Sequence, residues 1–464
     1  MFVYSECVTH MGRVHPRPQS NGMYIVPVLP YNIVFFQEKT PPTLISILEI
    51  SHMDSDIAPT AKDFSPPMTV RQSIVLALLL LLPALSASAQ LQVGADRMDE
   101  IIQLTEGKCV GLVANQASVQ TDSAHTFLLD ALTDHEVKVT RLFSPEHGFR
   151  AMADAGAKVD SSTDPVSGLP VISLYGKHRK PTAEDFAGLD VILFDLQDVG
   201  VRFFTYISTL YYVMQTCAET GTPIIILDRP NPHDAVDGPI LKDRKYRSFV
   251  GMLPIPAVHG LTMGELGQMI NGEGWLGERL TADLTVVTLL GWKHGDPYSL
   301  PVRPSPNLRS DRALLLYPTL CFIEGTCWSE GRGTEKPFEQ TGYPDKRMGT
   351  HTFTPRSITG AHAPKHKGKV CYGPDLTDYA VDPGINVEIL TDIAACSQTA
   401  GIRLITRPKF FDLLAGGPTL RRQLESGASP ETIRESWQAD LHDYISIRAR
   451  YLLYPDGRFN CSTF

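Results

Sequence analysis

Short apolar runs recur along the chain from Met98 onward, each closed by polar or glycine-containing turns. They are Cys109–Ala114 (CVGLVA), Val137–Phe143 (VKVTRLF), Val171–Tyr175 (VISLY), Val191–Phe194 (VILF) and Ile224–Leu227 (IIIL). Apolar, β-branched runs that lack polar alternation predict strands of a parallel sheet covered on both faces. Helical stretches lie between them. One is Ser123–Leu132. Another is Ser208–Thr220, with Leu210, Tyr211, Val213, Met214 and Cys217 as its apolar set and Gly221-Thr222-Pro223 as its stop. The succession predicts an α/β fold, a Rossmann-like doubly wound parallel sheet, over residues 95–292. After Trp292 the texture changes. Pro301–Arg309 (PVRPSPNLR) reads as an extended linker, and past Phe353 the pattern is α+β. Helices are predicted at Val387–Gly401 and Ser429–Ala449, with a short one at Phe410–Leu414. Residues 293–464 are thus expected to form a smaller C-terminal α+β domain that completes a cleft.

The N-terminal region reads differently. Met68–Gln90 has a short basic start, an apolar run from Ile74 to Leu85, and Ser86-Ala87-Ser88-Ala89-Gln90 behind it. That is the layout of a secretory signal peptide, expected at 68–89. The apolar run is too short to span a bilayer, so no stable membrane insertion is expected after cleavage. Residues 1–67 are rich in Pro, Ser and Met, with no sustained period. They are expected to be a non-translated or disordered leader, with translation starting at Met68. Export implies a periplasmic or secreted bacterial protein.

Composition narrows the function classes. A net charge of −9 argues against a nucleic-acid partner. The eight cysteines form no Cys-x-x-Cys pair, which argues against zinc ribbons and a dense disulfide scaffold. Cys109 and Cys217 lie in apolar segments and are expected to be buried small hydrophobes. No Gly-x-Gly-x-x-Gly follows the first strand, so no dinucleotide cofactor is implied. The Gly-x-Ser-x-Gly elbow of esterases is absent too.

The candidate chemistry lies at strand ends. Ser144-Pro145-Glu146-His147-Gly148 directly follows a predicted strand. Ligands of open α/β sheets bind outside the carboxyl ends of strands, so a carboxylate there is a candidate general acid or base. Asn115, Asp195, Asp198 and Asp228 occupy similar positions, and Glu324 and Glu330 follow the change of domain. Carboxylates on two walls of a cleft suit glycoside hydrolysis, where one acid protonates the leaving oxygen. The second activates water, attacks the anomeric carbon or stabilises the cation. Two other readings compete. Asp195, Asp198 and Asp228 could hold a hard cation, although no metal motif supports it and none is expected. Strand-end Asp residues also cap helices, a role that suits Asp198.

The segments SPEHGF, FDLQDVGVRFFTY, LDRPNP, DGP, PSPN, YP, EGT and SEGRGT occur here in the order found in the NamZ-like exo-β-N-acetylmuramidases. The C-terminal FFDLLAG and SWQADLHDYISIRARYLLYP fit as well. The chain resembles that family from about residue 98 to 456, departing visibly at Cys327-Trp328. The resemblance implies release of β-linked N-acetylmuramic acid (MurNAc) from the non-reducing end of peptidoglycan fragments, with muropeptides or disaccharides as partners and no cofactor. It implies Glu146 as the catalytic acid/base and Glu324 as the second carboxylate. His147, Asp195, Arg202, Tyr206, Asp228, Arg229, Asn231, His259, Asn307, Glu330 and Arg332 become substrate-binding candidates. The lactyl carboxylate of MurNAc calls for a cation, and Arg202, Arg229 and Arg332 all lie inside the matched motifs. Tyr206 and Phe338 could stack on the sugar or belong to the core. A non-catalytic muropeptide-binding protein is the alternative reading.

Overall fold

The computed structural model describes residues 17–18, 23–28, 31–37, 45–52, 90–150 and 162–458. The chain forms two compact units, divided between Leu85 and Ser86. In the first, β1 (Arg17–Pro18), β2 (Met23–Val28), β3 (Tyr31–Gln37) and β4 (Ile45–His52) pair in that order as an antiparallel meander. These strands fall inside the stretch that composition marks as a leader. The signal-peptide segment 68–89 lies outside the described residues.

The second unit is built on a twisted sheet. Its parallel strands are β5 (Val110–Ala114), β6 (Val139–Ser144), β8 (Pro170–Ser173), β9 (Val191–Asp195), β10 (Ile224–Leu227) and β13 (Leu284–Val287). The short β7 (Ser162–Thr163) pairs antiparallel with β8 at one edge, and β11 (Val236–Asp237) and β12 (Val258–His259) form a separate antiparallel pair. The spatial order is β13-β10-β9-β5-β6-β8-β7. The chain therefore works outward from β5 on one side, then restarts at β9 and works outward on the other. The crevice outside the carboxyl ends of β5 and β9 is the topological switch point, where ligands bind in such sheets.

Both faces of the sheet are covered, as the unbroken apolar runs require. Val110, Leu112, Ala114, Val191, Leu193, Ile225 and Leu227 face one way, against α1 (Met98–Thr105) and α2 (Leu128–Asp134). Val113, Phe143, Ile192, Phe194, Ile224 and Ile226 face the other, against α3 (Tyr206–Thr220) and α4 (Met263–Gly272). This second core continues without a break into the C-terminal region through Phe322, Leu390, Phe411 and Trp437. That region carries α5 (Asp311–Leu320), α6 (Val387–Thr399), α7 (Pro408–Ala415), α8 (Thr419–Ser426) and α9 (Pro430–Arg448), with β14 (His351–Phe353) antiparallel to β15 (Cys371–Gly373). No described helix is long and apolar enough to cross a membrane.

Two helices differ from expectation for local reasons. The one predicted at Ser123–Leu132 starts five residues later. Asp122 accepts bonds from the Thr126 amide (2.8 Å) and hydroxyl, so the chain turns tightly before the helix can begin. α4 was not predicted, because Gly264, Gly267 and Gly272 weaken its helical signal. Tertiary packing explains Gly264, where a Cβ would stand 2.8 Å from the Asp228 carboxylate. The six described cysteines are free thiols; Cys217 is buried, whereas Cys109 is only half-buried.

Candidate active site

β6 ends at Ser144, and the chain then makes a compressed turn. His147 and Gly148 both take left-handed backbone angles, φ 76° and 83°, and the Gly148 amide bonds back to the Pro145 carbonyl at 3.1 Å. Left-handed backbone at a bulky residue is uncommon and concentrates at functional sites. The turn buries His147 and leaves Glu146 half-exposed. Thr205, just ahead of α3, donates its hydroxyl to Glu146 Oε2 at 2.8 Å. The Tyr175 phenol, just past β8, also lies against the Glu146 carboxylate. Burial first, and the Glu146 charge second, push that phenol well above the usual tyrosine range.

A second group of charged residues lies in the C-terminal region. Glu324 lies in a 3₁₀ turn, Cys321–Gly325, immediately after α5. Arg332 Nη2 donates to Glu324 Oε1 at 2.9 Å, and its Nε stands 3.4 Å from Glu330. Lys365 completes the row at 3.1 Å from Glu330, while also bonding the Ile323 and Trp328 carbonyls. Burial opposes ionisation of Glu330, but the Lys365 and Arg332 charges hold its carboxyl below the ordinary value. The Arg332 guanidinium lies over the Phe338 ring, 4.9 Å from its centroid.

The two groups are linked through the start of α3. Phe203 packs on Phe322 (5.4 Å), and Phe204 on Tyr317 (6.2 Å), while Thr205 holds Glu146. Tyr175 feels the charge of both Glu146 and Glu324. Of the acids the sequence singled out, these two are the half-exposed ones; Asp195, Asp198, Asp228 and Glu330 are buried.

Most other candidates are committed to the fold. Asp195 and Arg229 form a fully buried two-bond pair (2.5 and 2.8 Å), and Arg229 also holds the Val119 carbonyl. Burial pushes the Asp195 carboxyl up, against the pull of Arg229. Arg202 is buried on the carbonyls of Pro239, Ile255 and Leu414. Asp228 accepts from Thr262, Gly264 and Tyr454, and burial raises it to about 6. Asn231 ties the His233 amide to the Leu261 carbonyl. His259 lies 3.3 Å from Asp198. Asp198 caps no helix: it accepts from the Gly200 amide at 2.7 Å. Asn307 donates to the Gly360 carbonyl. Tyr206 is a core residue at the switch point, accepting from Asn115 and donating to the Pro304 carbonyl. Phe338 is buried as well. Among the described residues no group of three or more His, Cys, Asp and Glu could hold a metal ion.

Sequence reading missed Tyr175, Thr205 and Lys365. Tyr175 carried the signal that found Glu146, a position just past a strand end; Lys365 carried none.

Two family models match the chain. "Exo-beta-N-acetylmuramidase NamZ, N-terminal" covers residues 110–312, and the corresponding C-terminal model covers 315–454. The chain is 40% identical over 375 residues to peptidoglycan beta-N-acetylmuramidase NamZ of Bacillus subtilis (strain 168), covering 75% of this chain and 87% of that protein. Two crystal structures of DUF1343 family proteins from Bacteroides fragilis NCTC 9343 share the fold. One has a TM-score of 0.72 and 38% identity, over 80% of this chain and 100% of its own. The other has a TM-score of 0.67 and 29% identity, over 79% and 99%.

Proposed function

The chain belongs to the NamZ exo-β-N-acetylmuramidase family, and from that premise we propose that it releases β-linked MurNAc from the non-reducing end of peptidoglycan fragments. We rest the site assignment on Glu146 and Glu324, the two half-exposed acids among the candidates, whose charges both reach the Tyr175 phenol. Their partners divide the work. Glu324 bonds Arg332, which orients its carboxyl group and suits it to face the developing positive charge at the anomeric carbon. The Thr205 hydroxyl bonds Glu146, and the Tyr175 phenol lies against it. They orient the carboxyl for general acid–base work, giving a proton to the leaving oxygen and taking one from water.

The test is release of free MurNAc from a MurNAc–GlcNAc disaccharide. Glu146→Gln should lose about 10²- to 10⁴-fold in rate, the usual share of a general acid–base group, with unchanged thermal unfolding. Equal release by both proteins would sink the assignment of Glu146.

We also infer export, on the apolar segment Ile74–Leu85 and the Ala87-Ser88-Ala89 sequence behind it. The protein recovered outside the cytoplasm should begin at Gln90. Recovery of full-length chain from the cytoplasm alone would overturn this.

A further inference from the structure

A muramyl residue differs from its N-acetylglucosamine neighbour by a lactyl ether that ends in a carboxylate. A site selective for it needs a cation with free donors, and a guanidinium fork matches a carboxylate best. Two of the arginines inside the family motifs are committed to the fold, and the third already holds the Glu324 carboxylate. Arg202 is buried on three carbonyls, and Arg229 is locked on Asp195. Arg332 gives Nη2 to Glu324 and turns Nε toward Glu330, while its Nη1 is buried with no hydrogen-bond partner among the described residues.

Arg179 is placed differently. It lies in the basic run Lys177-His178-Arg179-Lys180, at the carboxyl end of β8 just past Tyr175. Both of its neighbours are pinned. His178 pairs with Asp185 at 2.8 Å, and Lys180 pairs with Glu219 at 2.6 Å. The next residue, Pro181, accepts a buried bond from Thr216 of α3 at 2.7 Å. The loop is therefore anchored on both sides of Arg179, which is itself exposed and pairs with no carboxylate among the described residues.

Its guanidinium lies over the Phe249 ring, 4.7 Å from the centroid. Phe249 is a built platform. Its ring stacks on Tyr212 and packs 5.9 Å from Tyr175, and its carbonyl accepts from Ser208. A guanidinium stacked on an aromatic face keeps its in-plane N–H groups free for an anion. Tyr175 links this platform to the catalytic wall, because its phenol lies against Glu146 and feels the Arg179 charge. Arg179 and the candidate acid thus both neighbour the Tyr175–Phe249 pair.

We propose that Arg179, seated on Phe249, binds the lactyl carboxylate and is a specificity-determining residue of this enzyme. The proposal rests on the muramidase reading above.

The test uses 4-nitrophenyl β-MurNAc and the methyl ester of its lactyl carboxyl, with wild type, Arg179→Ala and Arg179→Lys. A bond to a charged group makes the expected loss in kcat/KM about tenfold to a hundredfold for Arg179→Ala on the free acid. On the ester, wild type and Arg179→Ala should be equal, since the charge that Arg179 reads is gone. Arg179→Lys should fall between them on the acid, keeping the charge and losing the fork. An unchanged kcat/KM in Arg179→Ala on the acid would overturn the proposal. So would an equal loss on acid and ester, which is the signature of a purely structural role. Wild-type protein that is folded yet cuts neither substrate would sink the muramidase reading itself, and the role of Arg179 with it.

Discussion

At the scale of the residue, burial decides which charged groups can work on a substrate. Asp195 and Arg229 both stand at strand ends facing the switch point, yet each is almost wholly enclosed and satisfied by the other. Ions are expensive to bury, and a buried pair is strongly destabilised when one partner is removed. Arg229→Met should therefore lower unfolding stability by about 3–5 kcal/mol, the cost of stranding Asp195. Adding Asp195→Asn should restore part of it. Denaturant unfolding measures both. A stable Arg229→Met protein that had lost only substrate affinity would return Arg229 to the binding site. Glu146 is the opposite case, because the left-handed turn at His147 and Gly148 buries the histidine and leaves the carboxylate in reach of solvent. That a carboxylate belonged there was legible from the strand followed by Pro-Glu-His-Gly. The engagement of Arg202 by three carbonyls was not, since its partners come from residues 239, 255 and 414.

At the scale of the element, the sheet was the most legible part. Five strands were read, three of them (CVGLVA, VILF and IIIL) from unbroken apolar runs, because a strand covered on both faces needs apolar residues at every position. α9 was also legible, bounded by Ser429, which accepts from the Thr432 amide, and ending at Arg448. α4 was not. Its glycines let the helix approach β10, so a Cβ at Gly267 would stand 2.7 Å from Ile226. Propensity argues against such a helix, and packing overrides it. The stretch Pro301–Arg309 was read as a linker, and it forms no regular element. It is more than a tether, however. Its carbonyls at Arg303 and Pro304 accept from Gln116 and Tyr206, which lays it across the carboxyl edge of the sheet.

At the scale of the molecule, the end of the chain is clamped to the sheet by a buried ionic network. His294 bonds Asp234 through Nδ1 and Glu265 through Nε2, both at 2.9 Å. Arg448 of α9 stands beside it and pairs with Asp456. Leu453, Tyr454 and Pro455 bond Glu265, Asp228 and the His294 amide respectively. Burial alone would lower the His294 imidazole, but Asp234 and Glu265 raise it to about 9. Its folded value lies above the ordinary 6.5, so the clamp stabilises fully below that pH and fades as pH climbs through 9. The loss over that window should be about 3 kcal/mol. Asp228, raised to about 6, acts only at lower pH. Unfolding free energy should thus fall more steeply between pH 6.5 and 9 in the wild type than in His294→Gln, where only the buried thiols lower it as pH nears 9. Equal slopes in the two proteins would place the source elsewhere.

By itself the sequence determined the parallel α/β sheet, the strand-end position of Glu146 and the family motifs, because each depends on residues close together along the chain. The tertiary structure decided which charges are available. Pairing Asp195 with Arg229, setting Glu324 near Tyr175 and seating Arg179 on Phe249 all join residues distant in sequence. Whether a charged group is buried against a partner or left open depends on those distant neighbours, and no local pattern encodes it.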